Sequence, residues 1–527
     1  MSSLLPSARV KSTGAQAPNQ YVPQGFNPFT LTAILPRLQD MQRVWMISLL
    51  GWLTCLNPHR GMGQTNVPNA ETPDWLSRAI AVVPSPRQLA WQNLEFGGMI
   101  HFGVNTFTDR EWGDGKEDPR WFNPANLDAR EWIRIFKSAG MRYVVLTAKH
   151  HDGFCLWPSS FTEHSVKNSP WRDGKGDLVR EVADACRAEG LKFGIYLSPA
   201  DLHEPSFGTP AYINHFTNQL RELLTQYGEI TEVWFDDANP SPKPAKYDFI
   251  AWRDLVRELQ PNAVIFGRGP DVRWVGNEGG APRASEWSVV PIPVPLDQFT
   301  GGNMMSEDLG SRVKVQHAPH LAWWPAEAAV SIRPGWFYHP SENARIRSPQ
   351  QLFSLYLNLV GRNTVLLLNV PPDRTGRLHP TDAQTLRALG KQIDNTFAVN
   401  LAQGALVTAS STQKDHPQVS TQGLIDDLSE TYWATEPGVT QAELVLTLPK
   451  PENISIIEIM ERIESGQRIE RFRVDIEQEG RWISTATGTT IGHRAFIQGR
   501  EPKPTTRVRL RILESRGPPA LASVLLR

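Results

Sequence analysis

The run YVVLTAKHHDGFCLWPSS (143–160), the amphipathic DLVREVADACRAEGL (177–191) and the run KFGIYLSPADLH (192–203) decide the fold. The first opens as a short, β-branched apolar segment and breaks into polar residues at Lys149, His150, His151 and Asp152. In the second, Leu178, Val179, Val182, Ala185 and Cys186 recur at helical spacing, and Gly190 marks the C-terminal stop. The third is strand-like again. Strand, helix and strand in close succession make a βα unit, and repeated βα units make a parallel sheet.

The same alternation continues outward. FGGMIHFG (96–103) precedes it, and EVWFDD (232–237), AVIFGR (263–268) and TVLLLNV (364–370) follow. Helical patterns fall at DAREWIRIFKSAG (128–140), YINHFTNQLRELLTQYG (212–228) and FIAWRDLVRELQ (249–260), and HPTDAQTLRALGKQIDNTF (379–397) ends the repeat. Such alternation over roughly 300 residues predicts an α/β fold, a (β/α)8-type barrel spanning 75–398. A doubly wound nucleotide-binding sheet lacks its signature, since no GxGxxG follows any of these strands. Beyond 404 the character changes to LVTASS, ELVLTL, ISIIEIMER, FRVDIE, RWISTATG and RVRLRIL, which predicts a separate all-β sandwich over 404–527.

A formal net charge of −1 argues against nucleic-acid binding, which needs a clustered excess of Lys and Arg. Three scattered cysteines (Cys55, Cys155 and Cys186) imply neither a disulfide framework nor a zinc site. Eighteen Trp stand against nine Tyr, and flat indole faces suit sugar rings as well as cores. Near the N-terminus, VWMISLLGWLTCL (44–56) follows Arg37 and Arg43 and is short of the roughly 20 residues of a membrane span. It reads as the apolar region of an export signal within an N-terminal extension, 1–64, with the true start at Met41. The residues around Cys55 match a lipid-anchor signal poorly. A periplasmic or secreted protein with no membrane span in its mature form is expected.

In a barrel the chemistry lies at the C-terminal ends of the strands. Polar residues gather there: His101 after the first strand, His150, His151 and Asp152 after the next, Tyr196 with Asp201 and His203, then Asp236 and Asp237. Alternation along EVWFDD puts Glu232, Trp234 and Asp236 on one side and Val233, Phe235 and Asp237 on the other, so one of the adjacent carboxylates points inward. An ionised carboxylate at such a mouth can serve as a nucleophile, and a capping loop Asp is the alternative. No HExxH or HxH accompanies the histidines, so polyol binding is preferred over a metal centre, with Trp112, Trp157 and Trp336 as stacking faces.

These residues carry a resemblance. LEFGGMIHFGV (94–104), LTAKHHDGFCLWPS (146–159), GIYLSPADLH (194–203) and VWFDDANP (233–240) resemble the family 29 glycoside hydrolases, the retaining α-L-fucosidases. GPDVRWVGNEGG (269–280), SEWSVVP (285–291), IRPGWFYHP (332–340) and LLLNVPPDRTGRLHP (366–380) are similar to the subfamily acting on α-1,3 and α-1,4 fucosyl branches. The tail resembles discoidin-like (F5/8 type C, carbohydrate-binding family 32-like) sandwiches. The resemblance implies Asp236 as nucleophile, although Asp237 stands where the family usually has Gly. It implies Glu278 as acid/base, with Glu286 as the alternative, and His101, Glu111, Trp112, His150, His151, Tyr196 and Trp336 as fucose-binding residues. Fucosylated glycans are the implied partners, and no cofactor is required. A structural Ca²⁺ near Asp426 and Asp427 is a further candidate. Competing readings are a lectin-like protein on a barrel scaffold, a fucosidase of broad linkage, and a metal-dependent hydrolase.

Overall fold

Local signals set the element ends. Asp177 caps the helix Leu178–Glu189 by accepting the Arg180 N–H at 2.9 Å, and Gly190 closes it in the left-handed region at φ 76°. Asp128 and Asp248 cap Ala129–Ser138 and Phe249–Leu259 in the same way. The computed structural model describes residues 73–527 apart from 237, 239–245, 415, 427, 429 and 500–503. The expected export segment with Cys55 therefore lies outside the described residues, as do Asp237 and Asp427.

In chain order the first part comprises α1 (Asp74–Ala81), α2 (Pro86–Gln92), β1 (Phe96–Ile100), α3 (Val104–Thr108), α4 (Ala129–Ser138), β2 (Tyr143–Lys149), α5 (Leu178–Glu189), β3 (Lys192–Leu197), α6 (Ala211–Gln226), β4 (Glu232–Phe235), α7 (Phe249–Leu259) and β5 (Val264–Gly267). There follow β6 (Arg273–Trp274), β7 (Val289–Ile292), α8 (Arg312–Val315), β8 (His320–Trp323), β9 (Ala326–Ser331), α9 (Pro349–Val360), β10 (Thr364–Asn369) and α10 (Pro380–Phe397). Eight strands form one parallel sheet in the order β5-β4-β3-β2-β1-β10-β9-β6. Val272, just ahead of β6, bonds to Ile265 and Gly267 of β5 and brings the ring nearly to closure.

The barrel departs from a regular eightfold repeat on one side. Among the described residues no helix separates β5 from β6, and the antiparallel ribbon β7–β8 intervenes before β9. One apolar cluster lies between sheet and helices, where Phe235 and Val233 meet Phe216 and Trp252. A second fills the interior with Met99, Tyr143, Val145, Tyr196, Phe266 and Leu367, joined by Trp234. Strand alternation thus sends Trp234 inward and Phe235 outward.

The second part comprises β11 (Leu406–Ala409), β12 (Trp433–Ala434), β13 (Ala442–Glu452), β14 (Ile456–Glu461), β15 (Ile469–Gln478), β16 (Arg481–Gly488), β17 (Ala495–Gln498), β18 (Thr505–Ser515) and β19 (Ala520–Leu526). These strands form two antiparallel sheets, β11-β13-β18-β15-β16 and β12-β19-β14-β17. Their own core includes Trp433, Leu444, Ile459 and Val474, yet Ile456 and Phe496 join the barrel's outer cluster. Barrel and sheets belong to one compact unit. Among the described residues no helix is long and apolar enough to cross a membrane.

Candidate active site

A cavity of about 500 Å³ opens at the C-terminal ends of the strands. His101, Glu111, Trp112, His150, His151, Tyr196, Asp236, Glu278 and Trp336 all line it, whereas Asp152, Trp157, Asp201, His203 and Glu286 do not. Met99, Trp234, Phe266 and Ala329 supply apolar surface, and Met304 and Met305 come from a loop that sequence reasoning did not single out.

Asp236 follows β4 directly and is about a quarter exposed, at 23%. Its Oδ2 accepts the Tyr196 hydroxyl at 2.7 Å, and its Oδ1 accepts the Ala238 N–H at 2.8 Å. These two donors fix one orientation of the carboxylate. His151 Nε2 lies 3.7 Å from Oδ2. The Ser198 hydroxyl donates to Ala200 O at 2.8 Å, so His151 Nδ1 must donate to Ser198 Oγ, 2.7 Å away. Burial lowers the His151 pKa against the pull of Asp236, which leaves a neutral ring with an Nε2 lone pair facing a carboxylate. Two acceptors so placed call for a hydroxyl donor between them. A sugar or a water provides one.

His101 is arranged similarly. Asn369, ending β10, donates through Nδ2 to Ser331 Oγ at 3.0 Å and Trp336 O at 2.8 Å. Its Oδ1 accepts the His101 N–H at 3.1 Å and lies 2.9 Å from His101 Nδ1. Nδ1 therefore carries the proton and Nε2 is free to accept. Burial pulls this imidazole down to about 4, opposed by the Asn369 bond and the charges of Glu111 and Asp236. His150 reaches the cavity because the β2–β3 register slips between Thr147 and Lys149, a bulge of the sort common beside active sites. Past it, Lys149 turns to Asp201 (2.8 Å) and Gln219 (2.9 Å), and His150 stacks on Tyr196 with its buried Nδ1 4.0 Å from Asp152 Oδ2 and making no hydrogen bond.

Glu111 acts on the backbone. Its carboxylate accepts the Trp336 and Phe337 N–H groups at 2.9 and 3.1 Å, and its Oε1 lies 2.6 Å from His339 Nε2. Burial works against charge on His339, but Asp109 and Glu111 outweigh it and raise its pKa. The Trp336 loop is thereby tied across the mouth, with its indole 5.2 Å from the His101 ring. Trp112 is 54% exposed and meets His151 edge-on. Trp157 is no stacking face: it is buried, with its indole N–H on Glu222 at 2.8 Å.

Beneath the floor, Trp234 and Tyr143 donate to the two oxygens of Glu327, each at 2.9 Å, while Trp91 donates to Glu232 at 3.2 Å. Burial raises both acids, Glu232 well above the usual range and Glu327 to about 7. Glu327, accepting from both Tyr143 and Trp234, seats the Trp234 indole. Glu278 stands exposed on the cavity wall. Glu286 is 1% exposed, away from that wall, with its carboxylate between Arg273 and Arg283. In the tail, Asp426 accepts from Leu428 N and Thr431 Oγ1 at 3.0 and 2.7 Å.

The sequence model of the Alpha-L-fucosidase family matches residues 63–396. Alpha-L-fucosidase 1 of Arabidopsis thaliana is 41% identical over 426 residues, covering 80% of this chain and 82% of that protein. Human Tissue alpha-L-fucosidase is 25% identical over 388 residues, covering 65% of this chain and 74% of its own. Among solved structures, a Ruminococcus gnavus GH29 fucosidase in complex with fucose is 31% identical with a TM-score of 0.77, covering 84% of this chain and 94% of that one.

Proposed function

The chain belongs to the alpha-L-fucosidase family, glycoside hydrolase family 29, and on that premise we propose a retaining exo-α-L-fucosidase acting on terminal α-1,3- and α-1,4-linked fucose. Asp236 is the nucleophile and Glu278 the acid/base. The observation that carries this reading is the Asp236 carboxylate at the end of an apolar strand, held by Tyr196 and Ala238 inside a cavity whose wall bears Glu278.

In the first step an Asp236 oxygen attacks the anomeric carbon while the bond to the aglycone oxygen breaks and Glu278 delivers its proton there. In the second, Glu278 takes a proton from water, the water oxygen bonds to the anomeric carbon, and Asp236 leaves. His101 and His151 offer Nε2 acceptors to sugar hydroxyls, and Trp234, Phe266 and Met99 present apolar surface suited to a 6-deoxy methyl group. Glu286, already neutralised by two guanidinium groups, lacks a free path to a leaving oxygen. The linkage reading is supported by the GNEGG and RPGWFYH segments, each of which supplies a cavity residue, Glu278 and Trp336. The segment 44–56, within the extension 1–64, serves export to the periplasm or medium, and the discoidin-like tail is a candidate carbohydrate-binding module.

The test is a substrate panel with variants. Lewis a and Lewis x trisaccharides should be cleaved in preference to α-1,2-fucosyllactose, and the reverse order overturns the linkage. Glu278→Ala should lose trisaccharide turnover far more than aryl-fucoside turnover, because a phenolate leaves without a proton. Equal damage to both, with selective damage in Glu286→Ala, moves the acid/base to Glu286.

A further inference from the structure

Glu286 looks like a spare carboxylate, but its connections run between the cavity wall and the C-terminal sheets. Arg283, whose own N–H donates to Glu286 Oε2 at 3.0 Å, spreads its guanidinium over three backbone carbonyls. Nη1 donates to Val275 O at 2.8 Å, Nε to Ser306 O at 2.7 Å, and Nη2 to Met304 O. Val275 stands three residues before Glu278, and Met304 lines the cavity itself. One buried ion pair therefore clamps both segments of that wall. Gly276 shows how closely they meet: at φ +103°, an added Cβ would fall 2.5 Å from Met304 O.

The clamp is held from behind by the tail. Glu286 N donates to Thr490 Oγ1 at 3.1 Å. Gln467, 1% exposed, pairs with the backbone as a strand would, donating Nε2 to Glu286 O at 3.1 Å and accepting Ser288 N at 2.7 Å. Ser285 Oγ donates to Thr489 Oγ1 at 2.7 Å, and Thr489 donates to Ala284 O at 3.0 Å. Inside the tail, Glu461 accepts Arg468 N (2.6 Å), Ile469 N (2.9 Å) and Gly492 N (3.0 Å), binding the loop of Gln467 to the loop of Thr489 and Thr490.

We propose that the C-terminal sheets are part of the catalytic apparatus, with Gln467 and Thr490 as positioning residues that fix the Glu278 and Met304 wall through Glu286 and Arg283. Its catalytic consequence rests on Glu278 being the acid/base; the mechanical claim does not. A loosened wall misplaces a proton donor while the nucleophile, directly after β4, stays where it is.

The test uses the full chain with Gln467→Leu, the isosteric Thr490→Val and the conservative Thr490→Ser. Hydrogen exchange should rise in segments 275–280 and 302–306 for Gln467→Leu and Thr490→Val, with strand β4 unchanged. Their kcat on a Lewis trisaccharide should fall about tenfold, the order expected of a sub-ångström misplacement, with aryl-fucoside kcat within about twofold. Thr490→Ser should restore both readouts. Raised exchange with equal loss on both substrates upholds the clamp and removes Glu278 as the acid/base. Unchanged exchange in both segments overturns the proposal, as does loss in Thr490→Val that Thr490→Ser does not recover.

Discussion

Tyr196 donates to Asp236 Oδ2 at 2.7 Å from a position stacked on Trp234, so its hydroxyl can be removed with the ring left in place. Hydrogen bonds to charged groups contribute about 1.5–3 kcal/mol, so Tyr196→Phe should lower kcat by roughly 10- to 100-fold with little change in KM. An unchanged kcat would mean that Ala238 N alone orients the carboxylate. His101 gives a pH prediction. Burial depresses its imidazole from 6.5 to about 4, so the unfolded chain binds the extra proton between those values. Its contribution to stability is full above about 6.5 and is lost as pH falls through about 4. Wild type should therefore lose more unfolding free energy than His101→Asn between pH 7 and pH 4.5 in urea titrations. Parallel losses would show that the ring is not held neutral.

At the scale of elements, Asn369 joins the ends of β1, β9 and β10 to the Trp336 loop through four bonds. Asn369→Leu leaves the buried backbone N–H and ring Nδ1–H of His101 unpaired, while Ser331 keeps its bond to Gly335 O, and should cost roughly 2–4 kcal/mol in unfolding experiments. A loss under about 0.5 kcal/mol, the range of ordinary surface changes, would contradict that role. Gly276→Ala should likewise spread the cavity wall, with trisaccharide turnover hurt more than aryl-fucoside turnover. Five barrel strands were legible because each is an apolar run ending in polar residues beside a capped helix, and TVLLLNV was legible as the run ahead of the last helix. β6 was not, since two residues carry no period, and β9, AEAAVS, hides behind alanines and the buried Glu327. The Met304 loop has no signal at all: carbonyls bound by an arginine leave no trace in residue type. Asn369 could have been found, as the one polar residue closing TVLLLN.

At the scale of the molecule, the tail reads in sequence as a separate all-β sandwich, a module expected to be dispensable for small substrates. The interface gives a different expectation. Asn363 is paired with His493 N and Arg494 O, Glu95 with His493 and Arg494, and Arg516 lies over the Trp287 ring at 3.8 Å. Removing 404–527 would take Arg494 and His493 from the buried Glu95 carboxylate, leaving it Arg142 at 3.9 Å, and uncover the apolar surface that Phe496 and Ile456 close. That truncation should be poorly soluble, or fold with a markedly lower melting temperature. A soluble truncation with the full chain's melting temperature and trisaccharide turnover would show that the sheets are an appendage.

The central claim is that Asp236 bonds to the anomeric carbon during turnover. Its most direct test is Asp236→Ala with an aryl α-L-fucoside and azide, the product identified by NMR. The variant should be inert alone and should form β-L-fucosyl azide with azide present, because the anion enters from the face the carboxylate has vacated. Undiminished hydrolysis without azide, or a product of α configuration, would contradict the assignment.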